Sequence, residues 1–412
     1  MAQRKTMATI SHNPITSATP MLAEDKPAVG LRLASLDVFR GLTIAGMILV
    51  NNQVSETAYW PLEHADELMS AHPSGWYSGK AWVDANGWTP TDLIFPFFLF
   101  IVGVSMVMSF AARRARGDSR AELMKHAVRR TALILLIGYA IYILPYFNLS
   151  HLRYPGVLQR IALVYLCASA ITLWASTRAR ILWIAALLAG YYAVSRSIPV
   201  PGCDPSAWFT QHCSLAGYID RTLMPGHLYR HDFDPEGLLS TFPSIASTLL
   251  GTLAGEFLRS AASLAHKLRG LVIAGLAGVA AGYAWHPWFP IYKPLWSSSY
   301  VLLMAGAACL ALALCWWFIE MRGWRAWAKP FLWLGSNAIL VYALSSFMSK
   351  LGFTIKFVYG AQTTTPQNWI YSHWFAPFAN DQNASLLFAL SYTALWTLVA
   401  WSLYRSKIFV KV

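Results

Sequence analysis

Residues 92–112 read DLIFPFFLFIVGVSMVMSFAA, 21 positions with a single charge at Asp92, and Arg113 and Arg114 follow at once. At 1.5 Å of rise per residue such a helix is about 31 Å long, the thickness of the hydrocarbon core of a bilayer. Outward from this stretch the same pattern recurs. Apolar runs stand at roughly 37–54, 127–147, 156–176, 179–197, 237–258, 268–287, 296–318, 331–350 and 385–404, which with 92–112 makes ten. The whole chain of 412 residues is 56% hydrophobic and 12% charged, half the charge of an ordinary soluble protein. Mean hydropathy is +0.42. A disordered chain, a small disulfide scaffold and a soluble multidomain enzyme are all excluded. Strand-like alternation is missing, which argues against a β-barrel. The expected fold is all-α, a bundle of about ten transmembrane helices.

The remaining charge is lopsided, 32 Lys and Arg against 19 Asp and Glu, net +13. Such an excess suits either nucleic-acid binding or the basic cytoplasmic face of a membrane protein. With the N-terminus inside, 23 of the 32 basic residues fall in inner segments and nine in outer ones, and every inner connection is basic. That distribution implies N-in and C-in, a lipid bilayer as partner and no nucleic acid. Residues 1–35, polar and without an apolar core, read as a disordered cytoplasmic tail, and 36–412 as the membrane domain. Long outer loops are expected at 55–91, 198–236 and 351–384, rich in Trp, His, Pro and Asn. They suit a carbohydrate-facing vestibule, or an interfacial aromatic belt. Cys203 and Cys213, ten positions apart in the second outer loop, can pair in an oxidising compartment, whereas Cys167, Cys309 and Cys315 fall in spans.

Ionisable groups within spans are costly and each needs a reason. Asp37 and Arg40, three apart, can form a local ion pair on one helix face, or Arg40 can meet an anionic ligand from the cytoplasm. Asp92 follows Thr89-Pro90-Thr91 and looks like a helix-capping acid. Arg160, beside Gln159 in an apolar helix near the outer side, needs a partner, with Asp37, Asp92, Asp234 and Glu236 as candidates. Asp234 and Glu236 flank Pro235 at a helix start, in a loop that could also bind sugar hydroxyls. His227, His231 and Asp232 have a spacing that invites a metal, but Pro225-Gly226 argues against a helix there, so no metal site is expected.

Six segments in order, SLDVFRG (35–41), NGWTPTDLIFPFF (86–98), PGVLQRI (155–161), FDPEGLLST (233–241), LWSSSY (295–300) and LGSNA (334–338), resemble the transmembrane acyltransferase family that includes heparan-α-glucosaminide N-acetyltransferase and its bacterial relatives. The resemblance implies transfer of acetyl from cytoplasmic acetyl-CoA to an amino sugar or glycan across a bacterial inner membrane. By motif position the catalytic His and its assisting Asn look like His64 and Asn51. Where the family runs from His-Ala almost directly into Trp-Asn-Gly, this chain inserts about twenty residues between Ala65 and Asn86, and the insert contains His72 as a competing base.

The implied chemistry is coherent. A sugar amine must be neutral to attack a thioester, so a His can take its proton, and a fixed amide can donate to the oxyanion. Coenzyme A phosphates need cations near the inner face, for which Arg40, Arg113, Arg114 and Arg129 stand ready. Asp92, Arg160, Asp234 and Glu236 are the expected substrate contacts. A sugar transporter without acyl transfer is the alternative reading, although no internal repeat of the transporter kind is visible. Whether two copies pair as a homodimer is left open.

Overall fold

The computed structural model describes residues 33–54, 58–66 and 80–410, and its architecture is helical apart from one short hairpin. The tail before 33 and His72 lie outside the described residues. Helices occupy all ten of the apolar runs: Ala34–Val50, Ile94–Arg114, Arg120–Ile143, Val157–Trp174, Thr177–Ser197, Thr241–Arg259, Leu264–Trp285, Ser298–Trp316, the pair Lys329–Ser336 and Ala338–Thr354, and Asp381–Arg405. Among the described residues six are long and apolar enough to cross a membrane, and a seventh is gained if the bent pair counts as one span.

The bent pair differs from the single span expected at 331–350. Its two helices meet at 84°. Asn337, in the LGSN segment, sits at the break, its amide donating to the Ile408 carbonyl (2.9 Å) and its side-chain oxygen accepting from the Val410 amide (2.9 Å). The chain after the last helix thus folds back onto the break and is tied to it through the Asn337 side chain.

The centre is built from helices that are apolar on every side. Ile94–Arg114 and Ser298–Trp316 bury most of their length, whereas Arg120–Ile143, Leu264–Trp285 and Asp381–Arg405 expose Leu136, Ile273 and Leu398 on the perimeter. A helix hydrophobic all round belongs in such a core. Small residues let the central helices touch backbone to backbone. A Cβ on Gly103 would lie 2.0 Å from the Thr248 carbonyl oxygen, and one on Gly251 would lie 2.1 Å from that of Phe100, so these two helices are locked by reciprocal glycines. Gly41 and Gly335 do the same between Ala34–Val50 and Lys329–Ser336.

Outside the bundle, the second long loop carries the helix Leu215–Leu223, and a disulfide joins Cys203 to Cys213. The third loop holds the antiparallel hairpin Phe357–Tyr359 with Gln362–Thr364.

Candidate active site

The Thr89-Pro90-Thr91-Asp92 segment forms a turn of 3-10 helix that enters Ile94–Arg114, and Asp92 caps it as expected, accepting from the Thr89 amide at 3.0 Å. The cap is also more than a cap. Asp92 is fully buried, and its other oxygen lies 2.7 Å from Nδ1 of His64. Oδ2 accepts in addition from the Ala65 amide (3.2 Å) and the Thr89 hydroxyl (3.2 Å). Thr89 and Thr91 hold the His64 loop from below, donating to the carbonyls of Glu63 (2.7 Å) and Pro61 (2.8 Å). From the opposite side the hydroxyl of Tyr300, in the LWSSSY segment, donates to the Asp92 carbonyl at 2.6 Å. Two of the recognised motifs thus converge on one histidine.

A third group completes the cluster. Nζ of Lys293 lies 2.7 Å from Nδ1 and 3.1 Å from Nε2 of His64, and 3.4 Å from the Asp92 carboxylate. In the sequence Lys293 reads as one more outer basic residue. Its signal was its place, two residues before the LWSSSY segment.

The His64 loop is anchored on its far side as well. Asp66 accepts from Arg230 (3.2 Å) and lies 3.4 Å from the Gln211 amide, which also donates to the Tyr292 hydroxyl at 2.9 Å. Gln211 belongs to the disulfide loop and Tyr292 precedes Lys293, so both flanks of the cluster are tied to one side chain.

Asn51 caps the C-terminal end of its helix and lines a cavity of ≈ 190 Å³ with Asn52, Tyr342, Ser345 and Ser349. Asn52 is buried, its amide donating to the Ile48 carbonyl (2.7 Å) and its oxygen accepting from Ser349 (2.8 Å).

Arg160 finds none of the four acids proposed for it. Its guanidinium donates to the Gly237 carbonyl (3.1 Å) and to Ser240, and lies over the Trp296 ring at 5.2 Å. Arg153 takes Asp234 instead, through two bonds of 2.7 and 2.8 Å, and also binds Glu236. The reason is geometric: the loop before Thr241–Arg259 turns its acids toward Arg153, leaving the Gly237 carbonyl and Ser240 for Arg160. The metal-like group is partnered otherwise too. His227 donates from Nδ1 to the Leu152 carbonyl at 2.7 Å and stacks on Tyr154, while Asp232 pairs with His212.

At the other end of the bundle, Arg40 is held by Asp37 (3.0 Å), the Gly335 carbonyl (3.2 Å) and Ser105 (2.6 Å), so the local ion pair is present. Arg113 pairs with Asp118. Arg129 is exposed. Arg114 lines a cavity of ≈ 230 Å³ with Arg259, Glu256 and Thr172.

A family model described as heparan-alpha-glucosaminide N-acetyltransferase, catalytic, matches residues 32–286. The heparan-alpha-glucosaminide N-acetyltransferase of Mus musculus is 28% identical over 456 aligned positions, covering 96% of this chain and 63% of the relative. That of Homo sapiens is 30% identical over 438, covering 92% and 60%. The chain therefore spans about three-fifths of the length of these relatives. Both carry names of acetyl transfer, and neither supports the transporter alternative.

Proposed function

This chain belongs to the heparan-alpha-glucosaminide N-acetyltransferase family, and from that premise we propose that it moves an acetyl group from acetyl-CoA on the cytoplasmic side to the amine of an amino sugar or glycan on the opposite side of a bacterial inner membrane. The observation that carries the reading is His64 held at 2.7 Å by a fully buried Asp92 at an outer loop. A carboxylate can only accept, so Nδ1 carries the hydrogen of that bond and Nε2 presents the lone pair. This is the arrangement a general base needs to deprotonate an attacking amine. Asn51 serves as an amide donor toward the acceptor or acyl oxygen.

In this reading the ten apolar helices all span, with both termini inside, as the basic residues require. Of the cytoplasmic cations, Arg114 is best placed for coenzyme A phosphates, because it shares an open cavity with Arg259. Arg40 and Arg113 already have internal acids, and Arg129 adds to the basic face. Asp92 acts through His64. Asp234 and Glu236 pair with Arg153, and Arg160 binds the same segment at Gly237 and Ser240, so together they hold the loop before Thr241–Arg259 in place.

The test is direct. Purified full-length protein with labelled acetyl-CoA and glucosamine should yield N-acetylglucosamine, and His64→Ala should lower kcat by about 10²–10⁴. Absence of transfer to every amino sugar offered, together with no binding of coenzyme A, would overturn the proposal.

A further inference from the structure

The position of Lys293 has a chemical consequence for the base. Its ammonium lies within 3.1 Å of both ring nitrogens of His64 and 3.4 Å from Asp92, and its side chain is 14% exposed. An ammonium has no lone pair and can only donate. Nζ stands nearer Nδ1 (2.7 Å) than Nε2 (3.1 Å), but Nδ1 shares its hydrogen with Asp92, which leaves Nε2 as the ring nitrogen able to accept from Lys293. The lone pair that must take a proton from the substrate therefore has a cation beside it, and that cation has to turn aside before the base can act.

Asp92 limits where it can go. The ion pair keeps Nζ near the carboxylate while the flexible four-carbon stem lets the N–H bonds be re-aimed. When an amine reaches Nε2, the nearest place for the displaced N–H is the carbonyl oxygen of the thioester that this amine attacks, since nucleophile and acyl carbon must come together at the same nitrogen. We propose that Lys293 is a catalytic residue that donates to the acyl oxygen of the donor thioester once the acceptor amine has replaced it on His64. This rests on the acetyltransferase reading and adds a charged oxyanion donor to it.

The step balances without a further reactant. The neutral amine forms the N–C bond, the carbonyl π pair moves to oxygen, and the oxyanion accepts its hydrogen bond from Lys293. His64 takes the amine proton at Nε2. Collapse reforms the carbonyl and breaks the C–S bond, and His64 returns the proton to the leaving thiolate, giving the N-acetyl sugar and free thiol.

The test compares wild type, His64→Ala, Lys293→Met, Lys293→Arg and Lys293→Ala as full chains in detergent, with acetyl-CoA and glucosamine. Removing a charged oxyanion donor should lower kcat by about 10²–10³ while KM for acetyl-CoA stays within a few-fold. Lys293→Arg should keep part of the rate. Methylammonium added to Lys293→Ala should restore N-acetylglucosamine formation, measured by mass, whereas tetramethylammonium, which has charge but no N–H, should not. A residue that merely packs against His64 would show no such distinction. Near-normal kcat in Lys293→Met, or equal rescue by the two cations, overturns the assignment while transfer by wild type leaves the function standing. If wild type transfers nothing, both fall together.

Discussion

Nδ1 of His64 lies 2.7 Å from Oδ1 of Asp92, a carboxylate with no exposure to solvent, although 28 residues separate the two along the chain. The carboxylate both orients the ring and selects its tautomer. Asp92→Asn keeps the shape but replaces an acceptor by a group that can also donate, so the ring can turn or change tautomer. The expected result is a fall in kcat of about 10²–10⁴ with coenzyme A binding retained. Thermal unfolding will show a smaller loss, because Oδ2 also accepts from the Thr89 and Ala65 amides. Steady-state kinetics beside a thermal melt separates the two effects.

How far this cluster could be read from the chain depends on the residue. His64 and Asp92 each stand in a recognisable segment, yet the sequence shows Asp92 only as a cap, because capping is local and visible in Thr89-Pro90-Thr91-Asp92. Its bond to His64 crosses the insertion after Ala65, and no local pattern encodes that. Lys293 was invisible for a related reason: a lone outer lysine has no periodicity, and its meaning comes from a loop folding back 229 residues later. The helices were legible because each apolar run is long. The break at Asn337 was not, since an apolar run of this length gives no sign of an 84° bend and the backbone groups its side chain binds belong to Ile408 and Val410, about seventy residues away.

The disulfide holds more than its own loop. Gln211, two residues before Cys213, joins Asp66 and Tyr292, the neighbours of His64 and Lys293. Closing a loop of this size is worth about 3 kcal/mol in the chain-entropy account. Cys203→Ser with Cys213→Ser should lower the unfolding temperature and reduce kcat several-fold, with little change in coenzyme A affinity at the far end of the bundle. Melting curves and kinetics before and after a membrane-compatible reductant check both parts. Unchanged values in the reduced protein would contradict this coupling.

Asp220 should make stability depend on pH. It lies in the loop helix Leu215–Leu223, fully buried, with Oδ1 accepting from the Leu238 amide and Oδ2 against Gly237. Burial pushes its carboxyl up to about 7, helped by Asp234 and opposed by the Leu238 bond and Arg160. A carboxyl whose folded value is raised binds its proton more tightly in the native state. Its contribution is complete below about pH 4 and is lost as pH rises through about 7. Wild type should therefore lose melting temperature between pH 5 and 8 relative to Asp220→Asn, which has no proton to release. Parallel pH-dependent slopes for the two proteins would refute it.

Arg153 and Arg160 offer the last contrast, because one is a true ion-pair partner and the other is not. Asp234 has no side-chain exposure and accepts two bonds from Arg153, besides one each from the Tyr229 and Glu236 amides, and Arg153 also binds Glu236. Arg153→Gln would remove the cation facing these two acids, and stranding a buried charge costs about 3–5 kcal/mol. Arg160 binds only the Gly237 carbonyl and Ser240, while its Nε and Nη1 have no partner among the described residues. Arg160→Met keeps much of the stem and its packing on Trp296, removes a desolvated guanidinium and strands no acid, so its cost should be smaller. Thermal unfolding of the two variants in one detergent decides the order. Adding Asp234→Asn with Glu236→Gln to Arg153→Gln should then recover part of the loss, since the stranded charges are gone, whereas the same pair added to Arg160→Met should be additive.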